Sequence, residues 1–390
     1  MTPGIGTKTA VQLIDRFKTP QRVFRASLSE LQAAGVSGSV ARSVTSGCAF
    51  DDAVTQQQKM LECGARLIPI THPKYPKRLK EVFDPPPMLF ARGRLELLGS
   101  LGIGVVGTRR PTAYGTAAAT RLATDLSEAG LTIISGMARG IDTSAHKAVL
   151  EANGDTIAVF GCGVDELYPA ENRKLADDII LKGLVLSDFP MGMPPYPQNF
   201  PLRNRIVSGM SAGVLVVEGG QYSGSAITAK LATEQGREVF AVPGNITSKL
   251  SWGPNLLIKQ GAKLIQDWND VVVELKPEDR RWLVRQCRSR LNLNEIPDGE
   301  SNSSDQASED LQTKRGTGQT AATLDIGPMS DTGRAILAEI GLDIAVPLDT
   351  LMDKLVPTSP SEILAVLFEL ELNGMVRQLP GKSYIKVWLE

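Results

Sequence analysis

Between residues 101 and 265 the chain alternates short runs that are apolar at nearly every position, rather than at alternate ones, with longer stretches of helical periodicity. The runs are Ile103–Val106, Leu131–Ile134, Thr156–Phe160, Leu184–Leu186, Val214–Val217 and Val239–Val242. Each is separated from the next by enough chain for a crossover helix, and helices are predicted over Thr112–Ala129, Ile141–Ala152, Ala170–Lys182 and Ser225–Gln235. Strands that are apolar throughout belong to a parallel sheet covered on both faces. The pattern therefore predicts a doubly wound α/β domain, closed after Gly253 by a short apolar helix and a last strand ending near Ile265.

The flanks follow other periods. Pro3-Gly4-Ile5-Gly6 leads into Thr7, an expected N-cap, and an amphipathic helix carrying Val11, Leu13, Ile14 and Phe17. Residues 28–42 repeat a helix, a Gly35-Val-Ser-Gly38 hairpin and a second helix. Such hairpins resemble the helix-hairpin-helix (SAM-like) module, whose exposed N–H groups can touch a DNA phosphate, and a purely structural helical packing unit fits equally well. The helix that the module places before Pro3 is absent, so this domain, residues 1–65, is expected to be truncated at its N-terminus.

After the sheet domain, 66–275, residues 280–290 carry five arginines and predict a basic helix or arm. A Ser-, Asn-, Asp- and Gly-rich stretch follows to about Gly327, so 276–328 is expected to be a basic arm and disordered linker. Residues 329–390 predict a winged-helix domain: helices at Thr332–Ile340, Pro347–Leu355 and Ser361–Asn373, a stop at Gly374, and a hairpin around Pro380-Gly381. The third helix offers Glu362, Glu369 and Glu371, a poor set for reading a DNA groove, so partner binding or regulation is the expectation.

Composition narrows the setting. In 390 residues no run of eighteen is apolar, and Met1-Thr-Pro-Gly lacks the charged and apolar regions of a signal peptide, which predicts a cytoplasmic protein without a membrane partner. Cys48, Cys63, Cys162 and Cys287 form no C-x-x-C pair, which argues against a zinc site or a disulfide framework and for a reducing compartment. Net charge is only −1: residues 1–100 hold 14 Lys/Arg against 8 Asp/Glu, but residues 101–275 hold 15 against 17. An anion site in the sheet domain must therefore be a local cluster rather than a basic surface.

Such a cluster is visible at the turns leaving the strands, where doubly wound sheets bind ligands. The turns are Gly107-Thr-Arg-Arg-Pro-Thr112, Ser135-Gly-Met-Ala-Arg-Gly-Ile-Asp142, Gly161-Cys-Gly163 and Gly219-Gly-Gln-Tyr-Ser-Gly-Ser225. None matches G-x-G-x-x-G with its acidic partner or G-x-x-x-x-G-K-[ST], so no dinucleotide, P-loop nucleotide or other cofactor is expected. Glycines and small hydroxyls at a helix start hold phosphate by backbone N–H groups, which makes Ser223, Gly224 and Ser225 candidates. Arg203, Asn204 and Arg205, in the segment before the fifth strand, and Arg110 add guanidinium and amide donors, although Arg110 and Arg205 also suit ordinary ion pairs. Among the sparse aromatics Phe200 is the best stacking candidate.

The segments Val106–Thr112, Ile134–Asp142, Phe160–Pro169 and Asn199–Gly244, in that order, resemble the bacterial DNA-processing protein A family, also called Smf, and span nearly all of the Rossmann-like domain. The resemblance implies a single-stranded DNA-binding recombination mediator that protects incoming DNA and loads RecA recombinase during natural transformation. Carried over by position, its anion pocket falls on Gly107, Thr108 and Arg109, on Ser135, Gly136 and Arg139, and on Arg203, Asn204 and Arg205. Thr108 stands where the family usually has Ser and keeps the hydroxyl. The resemblance also implies a homodimer, with Leu256, Leu257 and Ile258 facing the twin subunit.

An enzyme is the alternative, because the topology also resembles phosphoribohydrolases of the lysine-decarboxylase-like group. Those carry a catalytic glutamate just after a Pro-Gly-Gly-x-Gly-Thr loop, whereas here no carboxylate follows Gly219-Gly220 until Glu234. Asp142 and His146 lie four apart on one predicted helix, but no nucleophile elbow accompanies them. A non-enzymatic protein is the expectation.

Overall fold

The computed structural model describes residues 2–290, 331–341 and 345–355, together with positions 358, 363, 366–367, 370, 375–379 and 383–386. The chain divides into two compact units, Met1–Leu283 and Val284–Glu390.

The first unit opens with five helices: α1 (Thr7–Phe17), α2 (Pro20–Arg25), α3 (Leu28–Ala33), α4 (Gly38–Thr45) and α5 (Phe50–Cys63). Thr7 is the first residue of α1, with Gly6 rather than Thr7 at the N-cap position. Ser27 and Glu30 form a reciprocal capping box on α3, and Leu13, Leu31, Ala41 and Val44 supply the small core.

The sheet domain then runs β1 (Arg66–Pro69), α6 (Lys77–Lys80), β2 (Met88–Gly93), β3 (Gly102–Val106), α7 (Ala113–Glu128), β4 (Thr132–Ser135), α8 (Ile141–Glu151) and β5 (Thr156–Val159). It continues with α9 (Arg173–Lys182), β6 (Leu184–Ser187), α10 (Asn199–Met210), β7 (Gly213–Val216), α11 (Gly224–Glu234), β8 (Glu238–Ala241), α12 (Trp252–Lys259) and β9 (Lys263–Leu264). Helices α13 (Trp268–Glu274) and α14 (Pro277–Arg290) follow. Leu283 of α14 is buried and Trp282 packs on the sheet's core, so the start of the arginine-rich run belongs to the folded unit.

The nine strands lie in the order β1-β2-β6-β5-β4-β3-β7-β8-β9, with β3 to β9 mutually parallel and β1 and β2 antiparallel additions at one edge. All six apolar runs are strands of this sheet. β1 and β2 were invisible to the pattern because prolines interrupt it, at Pro69 and at Pro85–Pro87. Successive residues bury on opposite faces, as a doubly covered sheet requires. Val106, Ile134, Ile157, Val214 and Val216 enter one core, while Ile103, Val105, Ile133, Leu215 and Phe240 enter the other. The chain leaves β3 toward β4 on one side and returns as β7 on the other. The carboxyl ends of β3 and β7 thus flank the crevice where ligands bind in such sheets.

The second unit contains α15 (Asp331–Glu339), β10 (Val346–Pro347), α16 (Leu348–Lys354), β11 (Val376–Leu379) and β12 (Ser383–Lys386). Its strands are ordered β10-β12-β11, positions 363, 366–367 and 370 are helical, and Ile336, Leu351, Leu367 and Tyr384 share a core. This is the expected winged-helix arrangement. Glu362, Glu369, Glu371, the turn at Pro380-Gly381 and the expected linker over 291–328 lie outside the described residues.

Candidate functional site

The crevice above β3 and β7 opens into a pocket of about 570 Å³. Gly107 stands where the chain leaves β3; a Cβ there would lie 2.5 Å from Ile141 Cγ1, so only glycine lets α8 approach this closely. The Thr108 N–H donates to the Glu218 carbonyl at 2.7 Å, and its own carbonyl accepts from the Ile141 N–H at 3.2 Å. These bonds tie the ends of β3, β7 and α8 into one rigid rim.

Three helix N-termini converge here, each carrying the positive end of a helix dipole. At α7, the N-cap Thr112 offers its N–H and hydroxyl to the buried Glu218 carboxylate at 2.9 and 2.6 Å. At α8, Asp142 Oδ2 accepts from the N–H groups of Gly136 and Ala138 at 3.0 and 3.2 Å. Burial raises the Asp142 pKa, against the attraction of Arg203 and the N–H bonds. Two of the three ends therefore hold an internal carboxylate. The third, α11, is capped by the Ser223 hydroxyl, which accepts from the Ala226 N–H, and carries no acidic residue in its first turn. Ser223, Gly224 and Ser225 all line the pocket.

Helix α10 supplies the floor. Arg203 is only 4% exposed, yet it lines the pocket; its Nη1 donates to the Val159 carbonyl at 2.6 Å, and its buried Nε has no partner. Burial pulls the Arg203 pKa down, with Asp142 opposing. Gly136 makes the room: a Cβ at that position would sit 1.9 Å from Nη1. Asn204 also lines the pocket and donates to the Gly224 carbonyl at 3.4 Å. Phe200 closes one wall, packed over Gly161, with its ring centroid 5.4 Å from that of Tyr168. The exposed Arg109 guanidinium lies over the Phe200 ring at 5.6 Å.

The sequence pattern assigned no element to the segment before the fifth strand, and α10 separates what the sequence grouped. Residues two apart on a helix point about 200° apart, so Arg205 leaves the pocket. It is buried against Asp188, at 2.7 Å, with further contacts to the Asp84 carbonyl and, at 3.5 Å, the Asp84 carboxylate. Burial raises the pKa of Asp188, with Arg205 opposing.

The remaining candidates scatter by role. Ser135 turns its hydroxyl to the Val105 carbonyl at 2.6 Å. Arg139 is exposed and forks onto Glu171 at 3.0 and 2.7 Å, and Arg110 is exposed outside the pocket lining. Leu256, Leu257 and Ile258 are half-buried on α12, with Leu257 packing on the sheet's core. His146 faces Thr156 Oγ1 at 2.7 Å in the core, and burial pushes its pKa down to about 3, so it stays neutral. Burial pushes the Cys162 thiol up to about 12, which leaves it unreactive. Tyr168, Asp142 and Glu218 belong to the site without having been selected for it. The signal was in the glycines, since a Cβ at Gly115 would collide with the Glu218 carboxylate. Among the described residues no helix is long and apolar enough to cross a membrane, and no cluster of His, Cys, Asp and Glu could hold a metal ion.

A family model described as DNA recombination-mediator protein A matches residues 66–276, and one described as DprA winged helix domain matches residues 319–382. The chain is 47% identical over 215 residues to DNA processing protein DprA of Bacillus subtilis (strain 168), covering 55% of this chain and 72% of that one. It is 38% identical over 323 residues to Protein Smf of Escherichia coli (strain K12), covering 82% and 77%. Among solved structures, that of DNA processing protein A from Streptococcus pneumoniae superimposes with a TM-score of 0.65 and 35% identity, over 70% of this chain and 95% of that one.

Proposed function

Because the chain belongs to the DNA recombination-mediator protein A family, we propose that it binds single-stranded DNA in the pocket between β3 and β7, protects it, and loads RecA recombinase onto it during natural transformation. One observation carries the binding half of this reading: Arg203, a guanidinium almost wholly removed from water, lies on the pocket floor with its Nε unpartnered. A guanidinium held this far from water favours an anion brought beside it, because a charge-assisted hydrogen bond to phosphate is roughly twice as strong as a neutral one. Around it, the α11 N-terminus supplies backbone N–H groups, Arg109 a rim cation, and Phe200 with Tyr168 an apolar platform on which a base can stack.

The strand is held without hydrolysis. Asp142 and Glu218, the carboxylates nearest the crevice, are each fixed by two donors of the protein, and the loop after Glu218 brings no other acid to the pocket. The protein acts in the cytoplasm as a homodimer through Leu256, Leu257 and Ile258, and two pockets on one strand raise avidity without a new contact type.

The test is a salt titration of affinity for oligo-dT against a duplex of equal length, followed by RecA filament assembly on the bound strand. A preference for the single strand, with log affinity falling linearly in log salt, is expected. Equal affinity for both forms removes the mediator reading, and release of base or phosphate from nucleoside monophosphates restores the enzyme.

A further inference from the structure

We propose that the pocket floor takes a terminal phosphomonoester, the phosphate of a strand end or of a free nucleotide, in preference to an internal phosphodiester. The inference rests on the pocket assignment above and narrows its ligand.

Depth is the first argument. Arg203 lines the pocket together with Phe200, Arg109 and the α11 turn but is only 4% exposed, so it lies deeper than the exposed Arg109. An internal phosphodiester carries a sugar on each side and must bring both into the cavity to reach that floor. A phosphate joined through one ester enters end-on, with its nucleoside trailing toward Phe200 and Tyr168. The volume of about 570 Å³ is enough to admit one nucleotide.

Charge is the second argument. Facing the cavity are the guanidinium groups of Arg203 and Arg109 and roughly half a positive charge from the α11 N-terminus. Opposing them among the lining residues is one carboxylate, Asp142, already bonded to two N–H groups, while Glu218 lies outside the lining. The dipoles of α7 and α8 are answered internally and add nothing. The surplus exceeds one unit, which a phosphomonoester near neutral pH, carrying about −1.5 to −2, matches better than a diester with a single charge. Three free oxygens also allow the monoester to meet Arg203, Arg109 and the α11 N–H groups together, whereas a diester has two.

The experiment compares one oligo-dT with a 5′-phosphate, with a 3′-phosphate, and with hydroxyls at both ends, and sets dTMP against thymidine as competitor. Binding roughly tenfold tighter to a phosphorylated end, the size of one added charge-assisted hydrogen bond, supports a strand end as the ligand. Equal oligomers, with dTMP displacing them and thymidine failing to, support a free nucleotide. Equal oligomers with dTMP no better than thymidine overturn the inference while leaving single-strand binding intact. If no oligomer binds, the mediator reading fails, and direct calorimetric titration with dTMP and with thymidine decides this one: dTMP binding tighter supports it, equal or absent binding overturns it. Arg203→Met should erase the phosphate preference, but it leaves Asp142 buried without its counter-charge. Gly136→Ala keeps every charge and pushes the guanidinium aside, so it should also erase the preference. A folded Gly136→Ala protein that retains it in full counts against the assignment.

Discussion

Replacing Arg205 by alanine will weaken the fold and leave strand binding alone. Its side chain and that of Asp188 are 9% and 10% exposed, and their closest approach is 2.7 Å. Removing the guanidinium leaves the Asp188 carboxylate buried without its cation, and Oδ1 of that carboxylate has no partner even in the intact protein. Breaking a buried pair from one side costs about 3–5 kcal/mol. The contact with the half-exposed Asp84 carboxylate adds no more than about 1 kcal/mol because solvent screens it. The assay is urea unfolding paired with a salt titration of oligo-dT affinity at a temperature where the variant is folded. The unfolding midpoint should drop and the salt slope should stay. Adding Asp188→Leu to Arg205→Met should recover much of the loss, since a buried pair replaced by apolar side chains is often near neutral. The reasoning collapses if Arg205→Ala keeps its stability to within about 1 kcal/mol while the salt slope becomes shallower by about 0.7, the share of one single-strand phosphate.

Other substitutions probe the pocket and the core behind it. Arg109→Ala should make the salt slope shallower by about 0.7 with little change in stability, because the side chain is exposed on the rim; an unchanged slope removes Arg109 from the strand. Phe200→Ala should weaken oligo-dT binding by about 1–3 kcal/mol at all salt concentrations, as loss of a stacking surface does, and a loss that vanishes at high salt would point to charge instead. His146 keeps a pKa of about 3 in the fold against 6.5 in the open chain. The unfolded state therefore takes the proton first, and the histidine's contribution, complete above 6.5, is lost as pH falls toward 3 at up to about 1.4 kcal/mol per unit. In His146→Gln the unfolding free energy should fall less steeply than in the parent between about pH 6 and 4; parallel curves would show that His146 is protonated in the fold.

The buried sheet was legible because a strand covered on both faces has few polar positions to blur it, and six of nine strands announced themselves that way. The antiparallel pair at the edge, β1 and β2, was masked by its prolines. Helix α10 was missed for another reason. It is buried on most of its circumference and carries two charged side chains inside, so it lacks the one-sided apolar stripe that marks a surface helix. That omission merged Arg203 with Arg205. No spacing rule applied to a loop could separate a residue on the pocket floor from one locked against Asp188. The turns themselves were found, because glycine reports close backbone approach. What glycine does not report is which neighbour approaches, and the roles of Glu218 and Asp142 in holding the helix ends emerged only with the structure.

The two margins of the sheet are unequal. At one, β2 and β1 pair over four residues each; at the other, β9 consists of Lys263 and Leu264 alone, matched to Phe240 and Ala241. A strand of another molecule arriving at β9 would find a docking ladder worth only a hydrogen bond or two, guarded by a lysine. Fibrous edge-to-edge growth is thereby blocked on this side. Any twofold assembly formed here must be written in the side chains of α12 rather than in backbone pairing, which makes it separable by point substitution without disturbing the sheet.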